Sequence, residues 1–88
     1  MITEANAASI AREFFKFGND VPASVYFVNN LQNQGKDYFL VIFGGQNASV
    51  AIAAVDSNTG EMKNFAMIKR KTAHLRISKD IAYKLANA

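Results

Sequence analysis

Residues 48–68 read "ASVAIAAVDSNTGEMKNFAMI", and the parsing of this stretch decides the fold. Asp56, Asn58, Gly60 and Glu61 resemble the opening of a calcium loop. An EF-hand loop needs glycine at its sixth position and glutamate at its twelfth. Counted from Asp56, Gly60 stands fifth and Met67 twelfth. The flanks, "AIAAV" (51–55) and "MKNFAMI" (62–68), read as strands, whereas an EF-hand needs helices there. Asp56 is instead suited to cap backbone N–H groups two or three residues on, and Gly60 to take the positive φ that closes a four-residue hairpin. Asp56 and Gly60 are therefore expected to be turn residues, with no metal bound.

The same grammar extends outward. Upstream, "ASVAIAAV" (48–55) places Val50 and Ile52 on one face and the small Ser49, Ala51 and Ala53 on the other. "DYFLVIF" (37–43) is apolar on both faces, which requires cover on each side of the sheet. "ASVYFVN" (23–29) alternates after Pro22, which forces extended chain. Before it, Ala7, Ile10, Ala11, Phe14 and Phe17 recur at helical spacing behind Thr3, a suitable N-cap, with Gly18 and Asn19 as the expected left-handed stop. Phe15 breaks that pattern, and Arg12 falls on the polar side. Downstream, "EMKNFAMI" (61–68) is a fourth strand. Ser78 offers a second N-cap, with Asp80 in the first turn and Ile81, Ala82 and Leu85 forming a short amphipathic helix. The expected class is α+β, in the order α-β-β-β-β-α: an N-terminal helix on a four-stranded antiparallel meander, then a short C-terminal helix.

At 88 residues, half of them hydrophobic and 19% charged, the chain is expected to form one globular domain spanning 1–88. No apolar run is long enough for a bilayer, so no membrane association is expected. The start "MITEANAAS" lacks a basic n-region and an apolar h-region, which points to the cytoplasm; a trimmed leader would point to the periplasm or exterior instead. Without cysteine there is no disulfide, thiolate nucleophile or cysteine-based zinc site. Charge is uneven. Residues 1–68 carry four basic against six acidic side chains, and residues 69–88 carry six against one. A basic tail of this kind suggests an anionic partner.

No residue set points to catalysis. His74, the one histidine, has no carboxylate at a fixed spacing, and Gly44-Gly45 lacks the following lysine of a phosphate loop. "NAS" (47–49) matches a glycosylation acceptor without a secretory leader before it. In "KDYFLVIF" (36–43), Lys36, Tyr38, Val41 and Phe43 fit the central strand of an RNA-recognition domain, while Asp37, Phe39 and Leu40 break the pattern. Lys69, Arg70, Lys71, Arg76 and Lys79 are the side chains that would track phosphates.

Three segments taken together, "ITEANAASIARE" (2–13), "YFLVIFGG" (38–45) and "VAIAAVDSNTGEMKNF" (50–65), resemble a PepSY-type domain. Ile2, Thr3, Ala7 and Ala11 match the family's opening helix. Val55, Asp56, Thr59, Gly60 and Glu61 match its strand-turn motif. Ala51, Ala53 and Ala54 depart from its usual aromatics, and the basic C-terminal helix is additional. The resemblance implies a small helix-on-sheet module, similar in shape to cystatins, that binds or restrains peptidases or serves as a sensory input, with no catalytic residues.

The functional expectation is a non-catalytic protein-interaction or regulatory module without cofactors. The alternative is a nucleic-acid-binding module using residues 69–84. A homodimer is also expected. With the N-terminal helix assigned to the face of Tyr38, Leu40 and Ile42, the face of Phe39, Val41, Phe43, Ala51 and Ala53 stays open. A C-terminal helix of about nine residues reaches only about 14 Å and cannot cover four strands, which leaves that face to a second copy.

Overall fold

The computed structural model describes residues 1–29, 37–44, 49–69 and 82–84. It is an α+β arrangement: helix α1 (Glu4–Phe15), then strands β1 (Ala23–Val28), β2 (Tyr38–Gly44), β3 (Ser49–Asp56) and β4 (Met62–Lys69), with residues 82–84 helical again. The strands pair antiparallel in chain order, β1-β2-β3-β4, as a meander.

α1 starts at a reciprocal cap. The Thr3 hydroxyl accepts the Asn6 N–H (3.1 Å), and Asn6 Oδ1 accepts the Thr3 N–H (3.3 Å), so two orphan donors are satisfied by one side-chain pair. The helix ends earlier than its apolar spacing implies. Lys16, not Gly18 or Asn19, takes the left-handed conformation (φ 62°), and its N–H donates to the carbonyls of Glu13 and Arg12. The reversal brings Phe17 back against Phe15, with rings stacked 5.3 Å apart, and both rings meet Phe43 edge-on. A left-handed lysine costs about 1–2 kcal/mol. Burial of an aromatic side chain contributes about 1.5–3 kcal/mol, which is enough to decide where the helix stops.

Two apolar layers flank the sheet. On one face, Ala7 and Ala11 of α1 pack with Phe39, Val41, Phe43, Ala51, Ala53 and Val55, all buried. This reverses the expected assignment of faces. Phe39, Val41, Phe43, Ala51 and Ala53 lie beneath α1 and form no open surface. The cause is side-chain bulk: α1 presents alanines at its contact, and Ala51 and Ala53 leave room for its backbone. On the opposite face Tyr38, Leu40, Ile52 and Ala54 are fully buried together with Ala82 from the C-terminal helical residues. Tyr83 stacks on Tyr38 with centroids 5.9 Å apart, and Lys63 Nζ lies 4.6 Å from the Tyr38 ring centre. Ala82 and Tyr83 therefore cover β2 and β3 on this face.

Candidate interaction surface

The turn between β3 and β4 sets the position of everything around it. Asp56 Oδ1 accepts the N–H groups of Asn58 (2.8 Å) and Thr59 (3.0 Å), and the Gly60 N–H donates to the Asp56 carbonyl (2.9 Å). Gly60 holds φ at 79°, a conformation that an L side chain resists. The buried Ser57 donates through its hydroxyl to the Asp37 carbonyl, and its own carbonyl accepts the Ile2 N–H (2.8 Å). A Cβ placed on Gly60 would lie 3.1 Å from Ile10 Cδ1 and 3.8 Å from Ile2 Cγ2. The turn is thus a seat for the start of the chain and for α1. Among the described residues, no group of three or more His, Cys, Asp or Glu side chains is placed to hold a metal ion.

Arg12 has a role that its polar position in the helix pattern concealed. Its Nη1 donates to the carbonyls of Gly18 (2.6 Å) and Val21 (2.9 Å), and its guanidinium lies 5.2 Å from the Phe43 ring centre. It ties the α1–β1 connection to the core edge. An arginine six residues ahead of a glycine-containing reversal is the only trace of this in the sequence.

The surface best suited to binding lies along β4. α1 packs mainly on β1, β2 and β3, so of the α1-side residues of β4 Met62 is partly covered while Phe65 and Met67 stay largely exposed. The β3–β4 register sets Phe65 beside Ala53 and Met67 beside Ala51, both on the α1 side. Phe65 is 51% exposed, Met67 62%, and Phe14, at the end of α1, 45%. The Phe14 and Phe65 rings touch at 4.9 Å, and Phe15 meets Phe65 edge-on from the core. Helical spacing placed Phe14 inward and singled out Phe15 as the exception; the structure exchanges them. β4 is also a sheet edge, since nothing among the described residues pairs with its outer side. A register shift between Ala54 and Val55 leaves Lys63 as an additional residue near its start.

The sequence-derived sites distribute unevenly over this geometry. Tyr38, Val41 and Phe43, which fit an RNA-binding strand, are buried and present no platform for bases. Lys69 closes β4, while Arg70, Lys71, His74, Arg76, Lys79 and the Ser78 cap lie outside the described residues, as do Lys36, Gly45 and Asn47. No helix among the described residues is long and apolar enough to cross a membrane. No family model matches the chain, and no curated protein or solved structure compared with it matches either.

Proposed function

We propose that the chain is a non-catalytic protein-interaction or regulatory module of PepSY-like shape, and that it engages protein through the ridge formed by Phe14, Phe65 and Met67. The observation that carries this reading is the exposed apolar group Phe14, Phe65 and Met67 on the α1 side of β4, with two rings in contact and a methionine beside them. Aromatic residues and methionine are enriched in the buried centres of protein interfaces. Three side chains, each about half exposed, amount to roughly 300 Å² of contiguous apolar surface, a patch size that is often functional in soluble domains. A ridge on a sheet edge also offers main-chain donors and acceptors, so a partner gains direction as well as apolar contact.

The test uses the tagged chain as bait in its source cell, with chemical cross-linking and identification of the joined proteins. The bait is wild type or carries Phe65→Lys with Met67→Lys. The expected result is at least one protein joined to wild type and absent from the variant. Identical sets from both baits would refute the reading.

A further inference from the structure

Resting on that reading, we infer that Asn64 makes an autoinhibitory contact on the β4 edge: its side chain holds a main-chain donor of the ridge, and a partner strand must displace it to pair there. Three observations carry this. First, the donor faces away from the sheet. The Asp56 N–H donates to the Glu61 carbonyl (2.8 Å), so these two residues form a hydrogen-bonded pair at the end of the hairpin. Antiparallel pairs alternate between bonded and non-bonded. β3 is paired at every residue inward from there, the extra residue being in β4. Counting along β3 makes Val55 non-bonded, Ala54 bonded and Ala53 non-bonded. Phe65 stands opposite Ala53, and its N–H and carbonyl therefore point outward.

Second, that donor is already taken. The Phe65 N–H donates to Asn64 Oδ1, one residue back on the same strand (2.9 Å). A backbone N–H supplies a single donor, so the amide oxygen fills the place that a carbonyl of an added strand would take. The side chain of Phe65 belongs to the ridge, and the occupied donor thus lies within the binding surface itself.

Third, the strand is shaped around this contact. Ala54 pairs with Asn64 and Val55 with Met62, so Lys63 and Asn64 together oppose one residue of β3. Such a bulge bends its strand and re-aims side chains. Lys63 lies over the Tyr38 ring on the face away from α1, and the half-buried Asn64 turns onto its own edge. Bulges and charged side chains are means by which sheets keep edge strands from pairing indiscriminately. The opposite edge has neither: β1 pairs with β2 from Ala23 to Val28 without a shift, and "ASVYFV" carries no charge. The device is confined to the edge that carries the ridge.

The test is NMR on the purified full chain, by amide exchange and by titration with a short synthetic peptide of alternating threonine and valine, an extended probe that offers main-chain groups. Asn64→Ala should leave the circular dichroism spectrum unchanged and speed exchange of the Phe65 amide roughly two- to tenfold after correction for its intrinsic rate, the net worth of one hydrogen bond. The peptide concentration that half-saturates the Phe65 and Met67 amide shifts should fall by the same factor, while the amides of β1 respond equally in both chains. Asn64→Asp keeps the acceptor and should behave as the wild type. Unchanged Phe65 exchange in Asn64→Ala, equal half-saturation in the two chains, or a peptide that shifts neither amide of the variant would each overturn the inference. A peptide gain in Asn64→Ala, found together with identical cross-linked sets from the wild-type and Phe65→Lys, Met67→Lys baits, would remove the interaction reading and leave Asn64 as the competitor at this edge.

Discussion

Substitution of Gly60 by alanine should destabilise the fold by about 2 kcal/mol. Two costs add. The backbone at φ 79° is a left-handed conformation that costs a residue with a Cβ about 1–2 kcal/mol. The new methyl would also stand 3.1 Å from Ile10 Cδ1, and turning that isoleucine off its rotamer costs about 0.5–1.5 kcal/mol. Opposing both, alanine restricts the unfolded chain and returns about 0.4–1 kcal/mol. In a domain of this size a loss of about 2 kcal/mol lowers the melting temperature by roughly 8–16 °C. Denaturant titration measures the free energy directly, and an unchanged slope would show that the unfolded state is comparable. The two costs separate in a cycle with Ile10→Ala, which removes the crowding and leaves the strain. Gly60→Ala should then cost less by about 0.5–1.5 kcal/mol. A loss under about 0.5 kcal/mol in the wild-type background would refute the strain argument. An equal loss in both backgrounds would refute the crowding.

Asp56→Ala should cost about 1 kcal/mol by releasing two backbone donors, and calcium should leave the melting temperature of the wild type unchanged. A calcium-dependent rise abolished by Asp56→Ala would restore the metal reading. Arg12→Met should cost about 2 kcal/mol in a denaturant titration, with Arg12→Lys recovering only part of it, because a shorter ammonium lacks the planar guanidinium that lies over Phe43 while its Nη1 bonds both carbonyls. Leu40→Asp and Val41→Asp should both unfold the chain, each losing about 4 kcal/mol or more by circular dichroism, since each buries an unpaired charge. A folded Val41→Asp protein would mean that α1 does not seat there. If residues 69–84 bind nucleic acid, low-salt retention on a nucleic-acid resin should disappear when Lys69, Arg70 and Lys71 are reversed to glutamate. No retention by the wild type would remove that alternative.

The order of elements was legible because each carries local instructions. Thr3 announces the helix, Pro22 the extended chain after it, and the alternation of "ASVYFV" and "SVAIAAV" the strands. The helix end was not legible, since Gly18 and Asn19 are better local stops than Lys16. Lys16 takes the left-handed position because Phe15 and Phe17 can both reach Phe43 only if the chain reverses between them. That instruction is tertiary, and no window of neighbouring residues contains it. Arg12 was read as solvent-facing for the same reason, because its acceptors sit on a connection whose path depends on that reversal.

Which face of the sheet α1 covers is a question of a different kind. β2 is apolar on both sides, so hydrophobicity alone is symmetric and cannot choose. Size breaks the symmetry. A helix that offers Ala7 and Ala11 brings its backbone close to the sheet, and that approach is possible only over small residues. Ala51 and Ala53 mark one face of β3, while Ile52, with Tyr38 and Leu40 of β2, fills the other. Matching alanines to alanines therefore identifies the face from sequence, and assigning α1 to the bulkier side ignored that match. The same argument explains the ridge. A helix drawn onto Ala51 and Ala53 lies mainly over β1 to β3 and reaches β4 through Phe14 and Phe15 at its end, so Phe65 and Met67 stay more than half exposed. Enlarging the contact would move the helix: Ala53→Leu should lift α1 from the sheet and cost about 1–3 kcal/mol through overpacking, more than an alanine on an open face would lose.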